Sequence, residues 1–194
     1  FLATENNPNI ITLINFAAAE TSPSAISAAS NITIPSLIFS GDDDCVSPPI
    51  SNQNIMFDNL NSMCKTQINI INGGHCYFAN ENVLCSFGES SCNSNLSITR
   101  NEQQSITNDF LKIWLNFYLK SDQNSFSVFN DSLQISNRIS YSQFCNSTAI
   151  DEKLIDKKLI KVIDILGREI KERKNEQLFY IYDDGTAEKR IIFE

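Results

Sequence analysis

Two residue types able to do acid-base chemistry together stand at comparable places in this sequence. Asp44 closes the run Gly41-Asp42-Asp43-Asp44 after the apolar segment Ile34 to Ser40, and His75, the only histidine, follows Gly73-Gly74 after the segment Gln67 to Asn72. A serine hydroxyl is a poor nucleophile unless an imidazole takes its proton and a carboxylate fixes the imidazole tautomer and stabilises its cation. Asp44 and His75 supply the acid and the base of such a group. Asp44 is favoured over Asp42 and Asp43 because Gly41 lets the chain leave the strand and carry the third carboxylate sideways; the other two read as solvated neighbours or helix-side caps.

The nucleophile itself is missing. None of the six glycines opens a G-x-S-x-G turn, the strained elbow that lifts a serine above a sheet. Three adjacent aspartates lack the alternating oxygen ligands of a calcium loop. One histidine and scattered thiols offer no zinc-type spacing. No cofactor and no metal are therefore expected.

For acid and base to meet across 31 positions, the elements around them must bring two loops to one edge. Residues 9 to 16, 34 to 40 and 67 to 71 read as buried strands, and 51 to 63 as a helix between the last two. Strand, helix, strand is the crossover unit of an α/β fold, and parallel strands place their carboxyl ends together. A short helical turn is expected from Ser22 to Ala29. Residues 77 to 97 read as an irregular loop over that edge, where Tyr77 and Phe78 either simply pack or offer an apolar wall. Residues 100 to 119 read as an amphipathic helix with Trp114 in the core. Between 121 and 149 no element is expected beyond a strand or turn near Phe126 to Phe129.

Composition changes near residue 150. Of the 15 Lys and Arg, ten fall in residues 151 to 194, so a domain of residues 1 to 149 and a second of 150 to 194 are expected. In the latter, 159 to 166, 178 to 182 and 189 to 193 read as short strands. The net charge of -8 argues against nucleic acid as a partner. No apolar run is long enough for a transmembrane segment. Six cysteines without C-x-x-C pairs favour disulfides and an oxidising compartment.

Gly41-Asp42-Asp43-Asp44 with Ile34-Pro35 before and Pro48-Pro49 after, then Gly73-Gly74-His75-Cys76-Tyr77-Phe78, resembles the C-terminal half of the α/β-hydrolase family. The similarity is to its secreted branch of chlorophyllase-like, dienelactone-hydrolase-like and cutinase-like lipases, over about residues 1 to 120. The resemblance implies a partial α/β-hydrolase fold carrying the last three strands of a parallel sheet, with Asp44 as acid and His75 as base. It places the serine and oxyanion donors upstream of Phe1, with Ala3 in the helix after the nucleophile turn. It further implies association with the missing N-terminal half, an ester substrate, and inactivity of this fragment alone. A Cys45–Cys76 bridge between the two catalytic loops is implied by similar ties in cutinase-like relatives. Cys85–Cys92 is expected beside it, leaving Cys64 and Cys145 for each other or for upstream partners. A non-catalytic binding or displayed domain and an amide hydrolase using the same triad stay open as alternatives.

Residues 161 to 169, with Asp164-Ile165-Leu166-Gly167-Arg168, the segment Phe179 to Thr186 and the terminal strand resemble the C-terminal sorting domain of the type IX secretion system of Bacteroidetes. That resemblance implies a small β-sandwich read by the export machinery through residues 150 to 194, and a secreted or cell-surface product.

Overall fold

The computed structural model describes residues 1–92, 96–145, 158–171, 173, 176–183 and 187–191. They belong to two compact units, Phe1–Asn146 and Ser147–Glu194.

The first unit is built on a four-stranded mixed sheet in the order β1-β2-β3-β4. β1 (Leu13–Phe16), β2 (Ser36–Gly41) and β3 (Cys64–Ile70) run parallel, and β4 (Ile139–Cys145) joins β3 antiparallel. Parallel ladders are normally covered on both faces, and every residue of β2 is buried. Leu37 and Phe39 point to one face and Ile38 to the other, the two-residue period of a strand.

Helices α1 (Ala25–Ala29) and α2 (Gln53–Asn59) cover one face, where Leu13, Ala29, Ile38, Met56 and Leu60 pack. The other face holds the larger core: Leu37, Phe39, Ile68 and Ile70 lie against Ile106, Phe110 and Trp114 of α4 (Arg100–Lys120) and Phe129 and Leu133 of α5 (Gln123–Ile135). Trp114 is buried as expected. Its indole N–H donates to Thr12 Oγ1 at 2.9 Å, which lets the ring enter the core without an unpaired donor.

The start of α4 is fixed by its own sequence. The Thr99 hydroxyl accepts from the Glu102 N–H at 3.2 Å, and the Glu102 carboxylate accepts from the Thr99 N–H at 2.9 Å, a reciprocal capping box. At its far end Ser121 adopts a left-handed conformation, φ 56°, and Asp122 caps α5 through the Asn124 N–H.

Several elements differ from expectation. β1 begins at Leu13 rather than residue 9: Leu13 pairs with Ser36, and Pro35 before it has no N–H to extend the ladder. The helix expected over 51 to 63 is α2 alone, led in by a 3₁₀ turn at Pro49–Ser51. β3 starts three residues early, at Cys64. The stretch 77 to 97 is not irregular throughout: it contains a 3₁₀ turn, Cys76–Phe78, and a helix, α3 (Val83–Ser91), capped by the Asn82 side chain. Residues 121 to 145 hold a three-turn helix and an edge strand. Phe129 and Leu133, with half-buried Phe126 beside them, carry the buried stripe of α5, but Ser and Asn around them dilute the apolar periodicity. Residues 2 to 6 form turns, with Glu5 N–H donating to Phe1 O at 3.0 Å, instead of a longer helix around Ala3.

Three disulfides are present, and two expected pairings are overturned. Cys45 joins Cys92, Cys76 joins Cys85, and Cys64 joins Cys145. Cys85–Cys92 fails because both belong to α3 or its cap. Seven positions along a helix span about 10 Å, beyond disulfide reach. Cys45 bonds to Cys92 at the end of α3 and Cys76 to Cys85 within it, and not to each other. Cys64 and Cys145 pair as one of the two expected options, being directly opposed in the β3–β4 register.

The second unit contains an antiparallel sheet of β5 (Leu159–Ile163), β6 (Gln177–Tyr182) and β7 (Ala187–Ile191), with Val162, Leu178 and Tyr180 as its small core. Its Asp164–Arg168 turn is held locally. Asp164 Oδ1 accepts from the Leu166 and Arg168 N–H groups at 2.9 and 3.0 Å, and Oδ2 from Arg168 Nε at 2.7 Å. Gly167 takes φ 78°, open to glycine at no steric cost.

Among the described residues no helix is long and apolar enough to cross a membrane.

Candidate functional site

β2 and β3 end side by side, and the two loops beyond them are hydrogen-bonded to each other before any side chain is considered. Asp42 N–H donates to Ile70 O at 3.1 Å and Asp43 N–H to Gly73 O at 3.0 Å, while Asp44 N–H turns back to Gly41 O at 3.2 Å. Asn72, with φ 58°, makes the reversal that brings Gly73 against Gly41.

Asp44 is 3% exposed. Its Oδ1 accepts from the Val46 and Ser47 N–H groups at 2.9 and 2.7 Å, which fixes the carboxylate plane and leaves Oδ2 facing the imidazole. His75 Nδ1 lies 2.9 Å from Oδ2. A nitrogen facing a carboxylate is the one that carries the proton, so Nε2 presents a lone pair. Among the described residues no hydrogen bond is made to Nε2, and 26% of the His75 side chain is exposed. The hydrogen bond to Asp44 raises the His75 pKa above its ordinary value; partial burial opposes this, and the charges of Asp44 and Glu89 add to it. Asp42 and Asp43 are exposed and make no bond to the ring.

The histidine loop is held from two further directions. Gln103, fully buried on α4, clamps the Gly74 peptide: Oε1 accepts from its N–H at 2.9 Å and Nε2 donates to its carbonyl at 2.8 Å. Glu89, buried on α3, accepts from the Cys76 N–H at 2.9 Å. Arg100 donates to the Cys76 and Ala79 carbonyls, and its guanidinium lies 4.7 Å from the Tyr77 ring centre.

Of the two aromatics after His75, Tyr77 is covered by Arg100, whereas Phe78 lines a cavity of about 370 Å³. Phe16, Asn80, Gln104, Thr107 and Leu111 share that lining. Phe16 and Phe78 are 5.9 Å apart, so an apolar wall stands at the carboxyl end of β1.

Sequence reasoning named Asp44 and His75 and missed Gln103 and Glu89. No signal marks Gln103, one amide among several on a helix. Glu89 has one. Cys85, Glu89 and Cys92 are spaced i, i+4, i+7, and lie on one face as soon as 83 to 91 is read as a helix.

The arrangement can take a proton at Nε2, store the positive charge against Asp44, and return the proton to a leaving group. Comparison with protein-family models finds none that matches the chain, and comparison with curated proteins finds no match.

Proposed function

We propose that this chain carries the acid and base of a secreted carboxyl-ester hydrolase of the α/β-hydrolase type, whose serine lies on a segment outside these 194 residues. One observation carries the reading: an imidazole bonded at 2.9 Å to a buried carboxylate whose other oxygen is tied to two backbone N–H groups, with Nε2 turned away. In the acylation step Nε2 takes the serine proton as Oγ attacks the ester carbonyl, and gives it to the departing alkoxide. Water then repeats the sequence on the acyl-serine. Asp44 stabilises the imidazolium in both halves. β1 supports a missing part beyond its outer edge, since among the described residues β2 is its only partner in the sheet and its other edge is able to pair with a further strand.

Residues 150 to 194 serve as a type IX sorting unit in this proposal. The Asp164–Arg168 turn and the antiparallel β5-β6-β7 sheet support it, as do three disulfides, which suit an oxidising exterior.

The test is hydrolysis of a short-chain nitrophenyl ester by the protein that includes the region preceding Phe1. Turnover is expected to vanish in His75→Ala, and an active His75→Ala protein would overturn the assignment.

A further inference from the structure

Asp44 is not the only carboxylate built around His75. Glu89 sits on α3, and α3 is bonded covalently to both loops of the site: through Cys92 to Cys45, next to Asp44, and through Cys85 to Cys76, next to His75. Glu89 lies between those two anchors on the same helix face. It is 8% exposed, and its Oε1 accepts from the Cys76 N–H at 2.9 Å. The fit against the histidine loop is close: a Cβ on Gly74 would collide with that same oxygen. The same oxygen therefore reaches the residues on both sides of His75, at the Gly74 position and at the Cys76 N–H.

We infer that Glu89 is a positioning residue of the His75 site: α3, stapled across the two loops, holds a second carboxylate beside the imidazole, where it fixes the Cys76 end of the histidine loop and stabilises the imidazolium together with Asp44. The inference rests on the reading of Asp44 and His75 as an acid-base pair and extends it to a residue from a third element. Charged side chains of three elements bond to the ring and its loop. Asp44 comes from the acid loop, Glu89 from α3, and the Arg100 guanidinium, of opposite sign, from α4 against the Cys76 and Ala79 carbonyls. Asp42 and Asp43 stay exposed on the acid loop. The Coulombic influence of Glu89 acts on His75 in the same direction as that of Asp44.

The single histidine makes the test direct, because its ring resonances titrate without overlap in NMR spectra of the 194-residue chain. Glu89→Gln keeps an oxygen for the Cys76 N–H and removes only the charge. Its His75 midpoint is expected to fall by roughly half a pH unit, less than the full effect of a close charge because the ring is partly exposed. Asp44→Asn is expected to lower it further. A Glu89→Gln midpoint equal to that of the parent chain overturns the inference. If Asp44→Asn also leaves it unmoved, the acid-base pair itself fails, which separates the two ideas. Coupling is reciprocal, so a readout exists without substitution at position 89: the Glu89 side-chain carboxyl carbon should show an inflection at the His75 midpoint. A flat response there overturns the inference even when Glu89→Gln does not fold.

Discussion

Gly41 and Gly73 meet backbone to backbone: a Cβ on Gly41 would overlap the Gly73 carbonyl and stand 2.9 Å from the Gly74 nitrogen. The neighbouring atoms are main chain and cannot swing aside. Gly41→Ala is therefore expected to destabilise the first unit by about 1–3 kcal/mol. It should also part Asp44 from His75. Urea unfolding reads the first effect and the His75 ring titration the second; a stable variant with an unchanged titration would show that the contact is slack.

Asp44→Asn retains an oxygen for the Val46 and Ser47 N–H groups but presents an amide to the imidazole. The ring is then pushed towards the tautomer with Nε2 protonated, which cannot accept a serine proton. Ester hydrolysis by the protein that supplies the serine is expected to fall on the order of 10⁴-fold, with far-ultraviolet circular dichroism unchanged. A fall of only a few-fold would assign the carboxylate role elsewhere.

The raised His75 pKa sets two pH dependences of opposite sign. Turnover needs neutral imidazole, so kcat/KM should rise with pH through the raised value, to the alkaline side of about 6.5. Stability follows the protonated pair: the contribution is fully present below about 6.5 and is lost as pH rises through the folded-state value. Urea midpoints measured from pH 5 to 9 should decline across that window in the parent chain and lose this component in His75→Gln.

The disulfides differ in what their removal should do. A non-reducing digest is expected to yield the pairs 45–92, 64–145 and 76–85. By loop-closure entropy, replacing both Cys64 and Cys145 with Ala, which opens a separation of 81 residues, costs roughly 4–5 kcal/mol, against roughly 2–3 for the separation of 9 between Cys76 and Cys85. The smaller loss is expected to have the greater effect on the His75 titration, since it releases one end of α3. Equal effects on the ring would indicate that α3 does not hold the site.

What the sequence disclosed follows from periodicity and from rare residues. β2 and β3, α4 and its buried Trp114, and the approach of Asp44 to His75 were legible because an apolar run marks β2, isoleucines at Ile68 and Ile70 mark β3, apolar residues at helical spacing mark α4, and only one histidine exists. α5 and β4 were not. Every residue of β4 from Ser140 to Phe144 is exposed, so no burial pattern betrays it; pairing to β3 alone makes it a strand. α3 was hidden for a related reason. Val83, Leu84 and Phe87 are exposed, so its apolar residues do not mark the face that packs. That error carried into the cysteines, because a loop allows Cys85 to meet Cys92 and a helix forbids it. Gln103 acts through a contact between elements 29 positions apart, which no local pattern encodes, and the spacing that marks Glu89 counts only once 83 to 91 is read as a helix.

The two sulfur tethers of α3 end one residue past the acid and one residue past the base. Thiol reagents therefore reach the working groups through covalent structure, without first unfolding the sheet. A reducing solution rich in glutathione would hold the helix loose and the pair poorly aligned, and reoxidation would set it. Alignment of the pair would then follow the redox state of its surroundings.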